Sequence, residues 1–199
     1  MPLKNTAVVD QANIGGPVPE IRLSNLAWVA LAIFIMTGAI RSDNLWYLNF
    51  VHVMAGLLWT GIDLFMGFVV GPILRRLDRE VRKAFIMRLM PRMLFLMPTL
   101  AILTTTAGWF LAQRLGYLDM PFPAQWWVVA ALIIVTILTI QGMGILLPIN
   151  VRVLLQLRKP NPDLQRISRW MRIYVWVIAS QATMQVAIIV VMARFATGM

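Results

Sequence analysis

The 199-residue chain has no cysteine, a single histidine, and only 8 acidic residues against 18 lysines and arginines. Without cysteine it can hold no disulfide, no thiolate metal site and no iron–sulfur cluster. The same absence removes any mark of redox compartment. One histidine, His52, cannot by itself complete a bis-histidine heme or a copper site, and no CxxCH is available for covalent heme attachment. Charged residues make up 13% of the chain, against about 25% in an ordinary soluble domain. No secretory signal is expected either, since the first apolar run begins near Leu23 and no small-residue cleavage site follows it.

What the chain has in abundance is hydrocarbon. Hydrophobic residues are 60% of it and the mean hydropathy is +0.76. These values predict an all-α, polytopic membrane helical bundle. Spans are expected at about 23–41, 46–74, 93–115, 126–150 and 171–193, forming one transmembrane domain over 23–199 behind a cytoplasmic tail, 1–22. Pro98 interrupts the third span, and Pro148 lies near the end of the fourth. Ser24 or Asn25 is the expected cap of the first helix. Asn161, followed by Pro162 at the first helical position, is the expected cap of the fifth. Between spans two and three, residues 75–92 are dense in Arg and Lys, with Leu77, Val81, Phe85 and Leu89 four residues apart. They are expected as an interfacial amphipathic helix.

The basic residues set the orientation. Fifteen of the 18 fall in the tail, in 75–92 and in 152–172, leaving Arg41, Arg114 and Arg194 for the other side. The positive-inside rule therefore predicts an inside N-terminus and an outside C-terminus. Trp46, Trp126 and Trp127 are the expected outer aromatic belt, with Trp170 and Trp176 at the inner one. Because the basic clusters sit beside lipid, the net charge of +10 does not point to nucleic acid. The expected partners are the lipid bilayer and either further copies of the chain or other membrane subunits.

The central run, 45–75, carries His52 and also the only acid deep inside any apolar stretch, Asp63. His52, Gly56, Trp59 and Asp63 stand at offsets 0, 4, 7 and 11, one face of a helix. An ionisable group there costs about 2.5–3.5 kcal/mol on insertion scales, which makes it a functional candidate. With no basic residue at its depth, Asp63 must be protonated or hydrogen-bonded. Polar residues at a similar depth are Thr104, Thr105 and Thr106 on span three, Gln141 on span four, and Gln181, Thr183 and Gln185 on span five. Asp63, Gln141, Gln181 and Gln185 are the candidates for a proton relay; ordinary interhelical hydrogen bonds are the alternative. His52 has three readings open: structural hydrogen bonding, a metal ligand, or an axial heme ligand. Gly56, one turn on, removes a side chain where a flat macrocycle could lie. Gly61, Gly67 and Gly71 are the expected points of close helix approach. Neither an internal repeat nor a matching pair of interrupted helices is evident.

The segment His52-x-x-x-Gly56-x-x-Trp59-x-Gly61, continuing to Gly71-Pro72, resembles a motif shared by three bacterial membrane families. These are the membrane domain of the urate-oxidase type, the copper-resistance D family, and the oxygen-independent membrane protoporphyrinogen oxidases. The resemblance covers some 20–30 residues of one helix. It implies a bacterial inner-membrane protein of a redox or electron-transfer type, with His52 as axial ligand of a b-type heme. Gly56 and Trp59 would lie beside the heme, and Arg41 and Arg114 would pair with its propionates. The chain departs from the families in having no further histidine and no lysine within a span. A second ligand would be Met36 or Met192, or would come from a partner. The alternatives are a proton, cation or metal transport subunit using Asp63, and a non-catalytic subunit of a larger membrane complex.

Overall fold

A computed structural model of the chain describes residues 24–198; the tail, 1–22, and its proposed cytoplasmic location lie outside the described residues. All regular structure among those residues is helical: α1 (Asn25–Arg41), α2 (Leu45–Arg76), α3 (Arg79–Arg114), α4 (Gln125–Leu157) and α5 (Leu164–Ala196), with a short turn at Tyr117–Asp119. Helices α2 to α5 are each long and apolar enough to cross a membrane. The 17 residues of α1 rise only about 25 Å at 1.5 Å each, short of a hydrocarbon core of about 30 Å.

The four long helices form a closed ring. Each packs against the next in the chain, and α5 returns to pack on α2, while α1 lies against α2 and α3. One end of this bundle gathers Arg75, Arg76, Arg152 and Arg158 and the start of α5; it is called the basic end below. Asn44 caps α2 through its Oδ1, which accepts from the Tyr47 N–H at 3.1 Å. The cap of α5 is Asp163, whose Oδ1 accepts from the Arg166 N–H at 2.9 Å. The helix therefore starts two residues after the expected Asn161–Pro162 boundary, because a carboxylate at Asp163 satisfies the first-turn donors where they emerge.

Two further expectations are corrected. The basic segment 75–92 is not a separate interfacial helix: most of it forms the first turns of α3, a single helix of 36 residues that passes through Pro91 and Pro98. And α2 and α4 are a matching pair of interrupted helices. Each widens into a π-helical stretch, Met66–Val70 in α2 and Ile140–Leu146 in α4, and resumes as α-helix with a proline in its first turn, Pro72 and Pro148. A proline removes one backbone donor and its ring crowds the carbonyl four residues back. A widened turn relieves that crowding by letting the N–H before the proline reach one residue further. Accordingly, the Gly71 N–H donates to the Met66 carbonyl and the Leu147 N–H to the Gly142 carbonyl. Each helix then turns back through an antiparallel partner. The molecule is thus two successive helix hairpins, α2–α3 and α4–α5, built alike.

The apolar core has a main cluster and a smaller buried set toward the basic end, at Met87, Leu146, Ile149, Val153 and Leu154. Its main cluster joins Leu48, Val51, Ala55 and Trp59 of α2 to Leu100, Ala101, Leu103, Ala107 and Leu111 of α3, with Met36 and Ala39 of α1. All of these lie between Asp63 and the end opposite the basic loops. Large apolar side chains such as Phe34, Trp46, Phe68, Trp126 and Trp176 point outward, where lipid tails are as good a solvent as the core.

Candidate functional site

Asp63 and Gln185 meet across the α2–α5 contact. The Gln185 Nε2 donates to Asp63 Oδ2 at 2.7 Å, and Gln185 is only 1% exposed. Trp59, one turn earlier on α2 and itself buried, turns its indole N–H to the same carboxyl. The helical face at offsets 0, 4, 7 and 11 is therefore an interior face at Trp59 and Asp63, as the sequence predicts.

Toward the basic end the polar groups continue along the α4–α5 contact. Gln181 is buried and donates from Nε2 to the Leu138 carbonyl at 3.4 Å. Gln141, inside the π-helical stretch, donates from Nε2 to Ser180 Oγ at 3.1 Å. Further along, Tyr174 is hydrogen-bonded to Asn150 and lies within electrostatic reach of Asp63. Among the described residues, the buried oxygens Gln141 Oε1 and Gln185 Oε1 have no donor. Tyr174, Asn150 and Ser180 were not legible as site residues from composition alone. A signal was present, though: Tyr174, Gln181 and Gln185 stand at offsets 0, 7 and 11, the same spacing as His52, Trp59 and Asp63.

The threonines of α3 do not join this layer. Thr104 and Thr105 each return the hydroxyl to a carbonyl four residues earlier, Leu100 and Ala101, at 2.8 Å. Thr183 does the same to Ala179. Such back-bonding uses the hydroxyl's one donor within its own helix.

His52 sits apart from Asp63, half-buried between α2 and α3. Its Nδ1 lies 2.9 Å from the Thr104 carbonyl oxygen. A carbonyl only accepts, so Nδ1 carries the proton and a neutral ring presents a bare Nε2. The ring occupies the space that a side chain at residue 108 would need: a Cβ on Gly108 would fall 2.6 Å from His52 Cε1. At Gly56, one turn from His52 on α2, a Cβ would likewise meet Thr104 Cγ2 at 3.3 Å. Gly56 and Gly108 thus let α2 and α3 approach closely. Gly61 and Gly67, expected at close helix contacts, face open space, and Gly71 faces the Met66 carbonyl of its own π-turn.

The arginines expected near propionates also differ. Arg114 donates to the Ile40 carbonyl and, at 3.0 Å, to Asp43 Oδ1, tying the end of α3 to the α1–α2 loop; Arg41 is exposed at the end of α1. Met36 is buried in the apolar cluster and Met192 is half-buried on α5. Among the described residues no group of three or more His, Cys, Asp or Glu side chains is placed to hold a metal ion.

No family model, no curated protein and no solved structure matches the chain. Its own geometry therefore carries the functional argument.

Proposed function

We propose that the protein is a proton-exchanging subunit of the bacterial cell membrane, with Asp63 as the group that takes up and releases the proton. The observation that carries this reading is the Asp63–Gln185 contact, 2.7 Å between two helices at mid-length. A carboxylate there accepts from the Gln185 and Trp59 N–H groups. A protonated carboxyl can donate to Gln185 Oε1 once the amide rotates, since a glutamine side chain is donor at one atom and acceptor at the other. Both protonation states thus have partners in the same pocket, which is what a proton carrier needs. A metal cation fits less well, because the Gln185 N–H points at the carboxylate that would bind it. The test is proton flux into proteoliposomes of the purified chain under a potassium diffusion potential. Asp63→Asn keeps the size of the side chain and removes the titrating group, and it should abolish the flux; unchanged flux overturns the reading.

The proposal includes five spans, with α1 as a short one, and the N-terminus inside. In a chain free of native cysteine, an Asp119→Cys variant should react with an impermeant thiol reagent from outside, and Lys159→Cys only from inside. The opposite pattern reverses the orientation.

A second reading is favoured by the Nδ1 contact of His52. Metal-ligating histidines commonly hold the ring through a backbone carbonyl on one nitrogen and ligate through the other. On this reading the protein is a membrane redox or electron-transfer protein, with His52 Nε2 as axial donor and the Thr104 carbonyl as anchor. A b-type heme would supply one-electron chemistry. The donor fits; the space beside Gly56 is taken by the Thr104 methyl. Absorbance of heme-replete preparations decides: a Soret band lost in His52→Ala supports this reading, and no band in the wild type ends it.

A further inference from the structure

We infer that Asp63 is reached by water from the basic end only, through a half-channel along the α4–α5 contact lined by Gln181, Gln141 and Tyr174. This inference rests on the proton-exchange reading for its purpose, but its geometry is independent of it.

Three observations converge. The first is a polar strip on α5 that runs from Asp63 toward the basic end. On the side away from the basic loops, the space is filled by the cluster of Leu48, Val51, Ala55, Leu100, Leu103 and Ala107. Such a core, packed at crystal-like density, admits no water. On the basic side Met87, Leu146, Ile149, Val153 and Leu154 are buried too, but the strip of α5 turned to the interior there carries Gln185, Gln181 and Tyr174, and the first two are 1% and 3% exposed.

The second is the pair of acceptors without donors. Gln141 Oε1 and Gln185 Oε1 are buried and unpartnered among the described residues. A buried acceptor left bare costs about 1–3 kcal/mol. Ordered water is the usual partner where several polar groups face one another. The two oxygens bracket Gln181, so water bound to both would form a file along the contact.

The third is Tyr174. Its hydroxyl pairs with Asn150 of α4, and it stands two turns before Gln181 on α5, nearer the basic loops. A hydroxyl both donates and accepts. A proton leaving the Asp63 carboxyl passes to water at Gln185 Oε1 and on to the Tyr174 oxygen. Tyr174 gives its own proton to the next water and ends unchanged.

Accessibility tests this without relying on transport. Single cysteines at Gln181→Cys and Tyr174→Cys are probed in sealed vesicles with a charged thiosulfonate applied to one face at a time. Val186→Cys, whose native side chain points to lipid, and Ala55→Cys in the apolar cluster serve as controls. Expected is reaction of both site cysteines at least about tenfold faster from the basic face, with the controls inert from either face. No reaction at the site cysteines, or equal reaction from both faces, overturns the half-channel. Flux separates the two claims. If Asp63→Asn leaves proton flux intact while the one-sided labelling holds, the proton reading falls and the water path stands. If Asp63→Asn abolishes flux but labelling fails, the reverse is true. Tyr174→Phe, which removes one oxygen, should lower flux at least about fivefold; flux equal to wild type removes Tyr174 from the path.

Discussion

Gln185 on α5 holds Asp63 on α2 through an N–H···O contact of 2.7 Å, across the seam where the second hairpin meets the first. A double-mutant cycle with Asp63→Ala and Gln185→Ala measures it. Interhelical hydrogen bonds in membranes average about 0.6 kcal/mol and reach about 1.7. Because one partner is a carboxyl with few alternatives, a coupling near the upper figure is expected in thermal or denaturant unfolding of the detergent-solubilised protein. Additive single effects would show that the contact contributes nothing.

Gly108→Ala should destabilise. Its Cβ would lie 2.6 Å from the His52 ring, and the ring is pinned by the Thr104 carbonyl. Overpacking of this kind costs about 1–3 kcal/mol. On a His52→Ala background the clash is gone, so Gly108→Ala should then cost under about 0.5 kcal/mol. Equal losses on both backgrounds would refute the packing argument.

Gly61→Ala and Gly67→Ala should be close to neutral or slightly stabilising. Neither new methyl meets anything within 4 Å, and alanine is the better helix former by about 1 kcal/mol. A melting temperature lowered by several degrees in either variant would mean that these glycines touch something outside the single chain, such as a second copy.

Arg114→Ala should loosen the α1–α2 loop while Asp43→Ala does little. Arg114 bonds both the Ile40 carbonyl and Asp43, but the Asp43 side chain is 91% exposed. A solvent-facing ion pair contributes about 0–1 kcal/mol, and the backbone acceptor survives its loss. Hydrogen exchange over residues 41–45 reads the difference: faster in Arg114→Ala, near wild type in Asp43→Ala.

The bundle was legible in the sequence because lipid-length apolar runs have few other uses. The interior face of α2 was legible at Trp59 and Asp63 from spacing alone. What escaped was decided by partners that spacing does not name. The segment from Leu77 to Leu89 has the amphipathic period of an interfacial helix, yet its four-residue apolar spacing continues without a break into α3, so one helix results. Gly56 and Gly108 look alike as small residues, but only the fold shows that Thr104 occupies one space and His52 the other. Tyr174 was hidden because a tyrosine in an apolar run reads as packing until its offset from Gln181 and Gln185 is set beside that of His52 from Trp59 and Asp63. The likeness of α2 and α4 was obscured by differing residues around Pro72 and Pro148, whose effect lies in the backbone.

Each widened turn also fixes an azimuth. One residue step on an α-helix rotates the chain by about 100°. A wide turn holds one residue more than an ordinary one, so a single deletion within 66–70 or 140–146 that let it close to α geometry would leave everything beyond it at nearly the same azimuth. A deletion elsewhere in these helices has no such slack and would swing the part beyond it by roughly that angle: in α2 it would re-aim Arg75 and Arg76, and in α4 it would carry Asn150 away from Tyr174. These two helices should therefore accept the loss of a residue inside their wide turns and almost no change of length outside them.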